Sequence, residues 1–277
     1  MQLMRKLAVA ISSLLFLPMV ATAQVGPVPP QLLDQSRPLQ GNMIRACVDE
    51  SSAGGALDRA VAQAIGDALF LEVKFVPALR GFPINGEGYL QELQVHLNND
   101  CDLFMGIAVQ PNSPFPDWAL VTRAYARIPF VLATTEPGFE RLADIPRDRM
   151  IGTALASLGE QVFITTMMQR PENQRWKRLP YADFELMLKR MREGRLAAML
   201  LWQPALAQLL ADDPEADSIR LIATDPVPTA DVRVGALINV RNNYLRSQVD
   251  AAIAELVADG TIDQIMEDLG LVGTAGG

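Results

Sequence analysis

Between Met43 and Val109 the hydrophobic period switches from two to helical and back, twice over. "MIRACV" (43–48) is a short β-type run. "GALDRAVAQAIGDAL" (55–69) carries apolar residues at helical spacing, with Asp58, Arg59 and Gln63 off that face. "LEVKFVP" (71–77) alternates as a strand, "YLQELQVHLNND" (89–100) returns to helical spacing, and "CDLFMGIAV" (101–109) is a buried-type strand ending near a glycine. Strand, helix, strand, helix, strand is the signature of a parallel sheet covered by helices. That one pattern excludes helical bundles and antiparallel sandwiches.

A proline-rich stretch, "PNSPFPDW" (111–118), interrupts the series, and an extended run follows at Pro129–Thr134. A second series starts at "MIGTALAS" (150–157). Its helix spans about Leu158 to Gln169, and "RWKRLPY" (175–181) is its next strand. "DFELMLKRMREGR" (183–195) is a helix with Gly194 at its end. "LAAMLLW" (196–202) is a buried strand, and "QPALAQLLADDP" opens a helix with Pro204 in its first turn. "IRLIAT" (219–224) and "VRVGALINV" (232–240) are strands, and residues 244–271 form two helices around Gly260. The last strand and helices exceed what the second series needs. The chain is therefore expected to cross back and complete the first. Two crossings, near Val131–Glu136 and Thr224–Val232, make a hinge. This predicts lobe 1 over 43–133 plus 232–271, lobe 2 over 136–225, and a tail at 272–277.

The N-terminal stretch reads as processing rather than structure. Arg5 and Lys6 precede an apolar run from Leu7 to Val20, and Ala21-Thr22-Ala23 forms a small-residue cleavage site. This predicts a signal peptide over 1–23, a flexible lead-in over 24–42 and a periplasmic location, with no membrane insertion after cleavage. Removing Arg5 and Lys6 takes the net charge from −8 to −10. Such a chain has no basic field to collect phosphates, so nucleic acid is excluded as a partner. In an oxidising compartment the two cysteines, Cys47 and Cys101, are expected to form one disulfide. Cys47 is late in its strand and Cys101 early, so the bridge needs a stagger between strands that keeps the Cα atoms within about 7 Å. Two cysteines and the single histidine, His96, make no zinc set. His96 sits four residues from Glu92 on a helix and is expected to be a surface or packing residue.

Several short stretches carry a resemblance. "REGRLAAMLLWQPAL" and "LRSQVDAAIAELVADGTIDQIMEDLG" resemble segments of periplasmic solute-binding proteins of the polar-amino-acid receptor class, extracellular solute-binding family 3. "IRAC", Arg80-Gly81-Phe82, "CD-x-x-MG" (Cys101, Asp102, Met105, Gly106), "TR-x-Y" (Thr122, Arg123, Tyr125) and the strand-ending Trp202 resemble one branch of it. That branch comprises the J accessory proteins of methanol oxidation and other proteins encoded beside quinoprotein alcohol dehydrogenases. The resemblance covers roughly residues 43 to 271. It implies an α/β, two-lobed periplasmic-binding-protein fold (type II), each lobe a mainly parallel sheet flanked by helices, joined by a two-strand hinge. The implied function is capture of a small molecule in an interlobe cleft for an ABC importer. The alternative is an accessory role in a periplasmic quinoprotein dehydrogenase system, through contact with the dehydrogenase. A monomer is expected. The chain departs from the receptors in lacking an arginine in "VQPNSPFPDW" and in placing Ala197-Ala198 where an aspartate is usual.

Ligands of open α/β sheets lie outside the carboxyl ends of the strands. That nominates Asp49 and Glu50, with Ser51, after the first strand, and Arg80 and Phe82 after the second. Gly106 ends the third, where a missing Cβ lets another group approach. Thr122, Arg123 and Tyr125 follow, and the second lobe offers Thr153, Ser157 and Trp202. Arg80 and Arg123 suit an anion, or a pairing with Asp49 or Asp102. Phe82, Tyr125 and Trp202 suit a flat ligand. Ser157 and Thr153 also suit a helix cap. No G-x-S-x-G, H-E-x-x-H, P-loop or dinucleotide motif occurs, and no metal or cofactor motif is visible. Binding rather than catalysis is expected.

Overall fold

The computed structural model describes residues 41–79, 88–109 and 115–276. The expected signal peptide and most of the lead-in lie outside the described residues, as do Arg80, Phe82 and Gly277.

β1 (Met43–Val48), β2 (Glu72–Pro77) and β3 (Leu103–Ala108) run parallel in the order β2-β1-β3. Between them run α1 (Gly55–Ala68) and α2 (Tyr89–Asn99). The chain then forms β4 (Ala119–Val121) and the long β5 (Ala126–Thr134). The second lobe comprises β6 (Met150–Ala154), α3 (Leu158–Met168), β7 (Lys177–Tyr181), α4 (Phe184–Arg192), β8 (Ala198–Trp202), α5 (Gln203–Leu210) and β9 (Arg220–Ile222). β10 (Asp231–Asn239) returns to the first sheet, followed by α6 (Asn243–Ala258), α7 (Thr261–Asp268) and a short β11 (Thr274–Ala275).

The hinge strand is β5. Ala126 to Pro129 pair antiparallel with β10, while Phe130 to Ala133 pair antiparallel with β8. One strand thus belongs to two sheets, and the handover falls at Pro129–Phe130, slightly ahead of the expected Val131–Glu136. Proline suits that point because it donates no ladder hydrogen bond. Beyond β5 the second sheet continues β8-β6-β7, with parallel pairing.

Each sheet is covered on both faces, which explains the near-continuous apolar runs in β1, β3 and β8. In lobe 1, α1, α6 and α7 close one core around Ile44, Val61, Ile65, Val249 and Ile253. The other face holds Leu93, Leu97, Phe104 and the Cys47–Cys101 disulfide. The Cα atoms of the two cysteines are 5.6 Å apart. The register puts Cys47 opposite Phe104, three residues past Cys101, so the bridge is permitted by the bend ahead of β3 that folds Cys101 back toward Cys47 and not by a shift of the strands. Beside the bridge, Arg45 and Asp102 form a buried pair, with Nη2 to Oδ1 at 2.7 Å, and Nε and the Arg45 backbone N–H donating to Oδ2 at 3.1 and 3.0 Å. Among the described residues Asp102 therefore pairs with a strand arginine, Arg45, and not with Arg123. His96 packs its ring against Phe104 and bonds Asp100 through Nδ1 at 2.8 Å. No helix of the described residues is long and apolar enough to cross a membrane.

Candidate functional site

The helix α1 begins at Gly54-Gly55 without a side-chain cap. Asp58 stands in its first turn and is 3% exposed. The amphipathic pattern placed Asp58 off the core face; the structure corrects this. The pattern describes a helix with one covered side, but the first turn of α1 is also covered, by Gly106, Tyr125 and Trp202. Tyr125, fully buried ahead of β5, donates its hydroxyl to Asp58 Oδ1. The same hydroxyl accepts from the backbone N–H of Gly106 at 3.1 Å.

The two glycines make room for the second carboxylate oxygen. Gly106 has φ +79°, and a Cβ there would stand 2.3 Å from Asp58 Oδ2. A side chain is excluded on both counts. A Cβ on Gly54 would stand 3.7 Å from Oδ2 and 3.0 Å from Cη2 of Trp202. Asp58 Oδ2 therefore takes the space beside Gly106 that a side chain there would fill, and the Trp202 indole takes the space over Gly54. Burial pushes the Asp58 carboxyl up to about 7; the Tyr125 hydroxyl pulls it back and the neighbouring Asp49 charge raises it further. Tyr125 is pushed well above the usual phenol range, by burial first and then by the charge and hydrogen bond of Asp58.

Trp202 packs between the lobes. It ends β8 opposite Phe130 and packs against the cores of both lobes. Its Nε1 is buried without a partner among the described residues. The adjacent Gln203, 4% exposed, donates Nε2 to the Gly270 carbonyl of the closing segment at 3.1 Å.

The remaining nominated residues fall into other groups. Asp49 accepts from the backbone and hydroxyl of Ser51 at 3.0 and 2.5 Å, which shapes the loop entering α1. Glu50 pairs with Arg59 at 3.0 Å on the exposed side of α1. Thr122 is buried, accepting from the Ala236 N–H and donating to the Arg123 carbonyl, both at 2.9 Å. The Arg123 backbone is tied to Asp250 of α6 at 2.8 Å, and its side chain is on an exposed residue. In lobe 2, Thr153 donates to Glu160 Oε1 at 2.7 Å, Arg178 donates to the same oxygen at 2.6 Å, and the Ala156 N–H donates to Oε2 at 2.8 Å. Ser157 caps α3 by accepting from the Glu160 N–H at 3.1 Å. Thr153 and Ser157 thus serve Glu160 and the helix start. The structure brings Gly106, Tyr125 and Trp202 together around Asp58, with Asp49 acting on it through charge.

Two acids escaped the sequence reading. Glu160 carried a readable signal, the S-x-x-E spacing of Ser157 and Glu160 at a helix start. Asp58 carried none, because its burial is made by residues distant in the chain. A cavity of about 1440 Å³ separates the loop at Ser51–Ala53 from α4 and α5, with Asp183, Lys189, Arg192 and Asp213 among its walls. Of the nominated residues only Ser51 lines it.

The architecture matches solved structures. The substrate-binding domain 2 of GlnP from Lactococcus lactis, in its open conformation, superimposes with TM-score 0.64 at 14% identity, over 84% of this chain and 97% of that one. The L-cystine solute receptor of Neisseria gonorrhoeae, unliganded and open, gives 0.60 at 18% identity, over 82% and 92%. An ancestral cationic amino acid solute-binding protein gives 0.60 at 17%, over 82% and 95%. No family model and no curated protein matches the chain. At these identities the likeness shows the fold: the two-lobed type II architecture of amino-acid solute-binding proteins.

Proposed function

We propose that this protein is a solute receptor that captures a small molecule between its lobes, in the periplasm, for an ABC importer. The observation that carries the reading is the position of Asp58. A buried carboxyl, lifted by burial to about 7, stands in the first turn of α1 at the carboxyl edge of the lobe 1 sheet, next to Gly54 over which the Trp202 indole of the other lobe packs. The substrate-binding domain and the solute receptor that share this fold support it. Lobe 1 is taken as 43–133 with 232–271 and lobe 2 as 136–225. Asp49, Gly106, Tyr125 and Trp202 form the ligand side with Asp58. Arg80 and Phe82, which lie outside the described residues, remain proposed as ligand-binding residues. Glu50, Thr122, Arg123, Thr153 and Ser157 hold the loops behind the ligand side.

Thermal unfolding of the mature, oxidised protein against amino acids, organic acids, polyamines, alcohols and pyrroloquinoline quinone tests this. A solute that binds only the folded state adds about 2.7 kcal/mol at a hundredfold excess over its Kd. A panel without a single rise in midpoint defeats the receptor reading. A second reading, an accessory of a quinoprotein dehydrogenase, is favoured by the Trp202 indole, which already occupies the interlobe space over Gly54. Co-purification of the dehydrogenase on the immobilised protein is its test.

A further inference from the structure

The segment after α7, expected from the sequence only as a tail over 272–277, is built into the hinge. β11 pairs antiparallel with Arg127 and Ala126 of β5. The same two residues pair with Arg233 and Val234 of β10. A strand residue has two edges, so β10 and β11 flank the first half of β5 from opposite sides. The Gly276 N–H donates to the Tyr125 carbonyl at 2.8 Å, and the Ala275 N–H to Asp263 Oδ1 at 3.1 Å, which ties the segment to lobe 1. Gly273 lies against the hinge strand: a Cβ there would stand 2.7 Å from the Arg127 carbonyl oxygen, so a side chain would push the segment off β5.

At its other end the segment is tied to lobe 2. Gln203, next to Trp202 at the start of α5, donates Nε2 to the Gly270 carbonyl at 3.1 Å. Its Oε1 is buried with no partner among the described residues. A buried amide with half of its hydrogen bonds made is held less firmly than a saturated one. Along β5, β11 covers residues up to Arg127 and β8 covers residues from Phe130, so Ile128 and Pro129 alone lie between the two pairings. Val272–Thr274 share a recess of about 310 Å³ with Thr229 and Asp231 of the second crossing, which leaves the segment room to shift.

We infer that Gly270–Gly276 is a strap that fixes the resting angle between the lobes. With the Gln203–Gly270 bond made, the lobes are held as they stand here; its release frees rotation about Ile128–Pro129. Such a rotation carries Gln203 along with β8, while Gly270 stays with lobe 1 through α7 and β11. A displacement of about 0.5 Å already takes a bond of this length out of hydrogen-bond range. The strap goes beyond the receptor reading and does not rest on it.

The test reads the interlobe angle without a solute, so its failure leaves the receptor reading untouched. Nitroxide labels on Glu72→Cys in lobe 1 and Met168→Cys in lobe 2, both exposed, report the interlobe distance by pulsed electron resonance with the native bridge intact. The full chain should give one narrow distance. A chain ending at Leu271 and the full-length Gln203→Ala variant should each give a broader distribution or a second distance. Hydrogen exchange supplies the local check. In the shortened chain, exchange over Tyr125–Ile128 should speed up about tenfold, while β1 and β8 keep their protection. A distance distribution unchanged in both variants overturns the strap. So does exchange that rises equally in β1, which would make β11 an ordinary support of the whole lobe. Where the shortened chain does not fold, Gln203→Ala and Gly273→Ala decide, the first cutting the strap from lobe 2 and the second from β5. If neither broadens the distribution, the strap is overturned.

Discussion

The two lobes share a plan of strands and helices but treat buried charge differently. Lobe 2 buries one carboxylate, Glu160, and saturates it with a guanidinium, a hydroxyl and a backbone N–H. Lobe 1 buries two. Asp102 is treated in the same way by Arg45, beside the disulfide, on the face away from α1. Asp58, which faces lobe 2, is left with a phenol and two glycines. Charge that serves the scaffold is neutralised inside its own lobe; charge left without a cation stands where the lobes meet. Perturbed carboxyls in clefts are functional candidates on physical grounds, and here the two saturated acids are the internal control.

The largest expected effect breaks the saturated half of this contrast. Arg45→Met leaves Asp102 buried without its cation, a loss of about 3–5 kcal/mol. Urea unfolding measures it, and Arg45→Met combined with Asp102→Leu should recover most of the loss, because the unpaired charge, not the absent pair, is what costs. A single Arg45→Met with wild-type stability would show that Asp102 needs no cation, and the comparison with Asp58 would fall. Next comes the bridge on the same face. Cys47→Ser with Cys101→Ser opens a loop with a sequence separation of 54 and should cost about 2–5 kcal/mol. Melting with and without reductant checks it: reductant should lower the wild-type midpoint and leave the double variant unchanged.

The same substitution logic has the opposite sign at Asp58. Its folded pKa of about 7 lies above the ordinary value of 3.8. The folded state therefore holds a proton that the unfolded chain has lost, and stability falls as pH rises from about 4 to 7. Asp58→Asn removes that penalty. The variant should match the wild type near pH 4 and exceed it at pH 8, by at most about 4 kcal/mol. Denaturant titrations at the two pH values read the difference. A variant that is less stable at pH 8 would mean that the carboxylate has a cation partner after all.

Much of this architecture is written locally. The alternation from Met43 to Val109 gives three parallel strands, because successive strands joined by helical crossovers run parallel; the order β2-β1-β3 is not set by the pattern, since a fixed hand allows β3 on either neighbour. Pro204 and Gly194 mark helix ends by their own backbone constraints. Ser157 was readable as a cap, and with Glu160 three positions on it announced a helix start. The cysteines were readable because one oxidised pair leaves one choice. What stayed hidden depends on contacts between distant segments. Asp58 is charged, in a first turn, off the apolar stripe, and nothing local distinguishes it from Arg59, which is exposed and stacks on Phe75. Its burial needs Tyr125 and Trp202, which the fold delivers from the hinge strand and from the other lobe. Thr153 and Ser157 show the converse: they stand at strand and helix ends as a ligand residue would, yet their hydroxyls are engaged by Glu160.

The smallest effect sharpens the contrast at the helix starts. In lobe 2, Ser157 and Asp183 cap α3 and α4 by accepting backbone N–H groups at 3.1 and 2.9 Å. In lobe 1, α1 starts at Gly54 with no side chain to accept. Ser157→Ala should cost about 1 kcal/mol, the usual worth of such a cap, and leave solute affinity unchanged. Gly54→Ser should gain no such cap. The backbone of Gly54 is helical, at φ −83° and ψ −8°, whereas a capping side chain works from an extended residue. Its Cβ meets the Trp202 ring at 3.0 Å, so the indole packed between the lobes must shift. The expected result is a loss of unfolding free energy, read by urea unfolding. If Gly54→Ser instead stabilises the protein, the bare start of α1 is merely an uncapped helix and the indole over it is not tightly held.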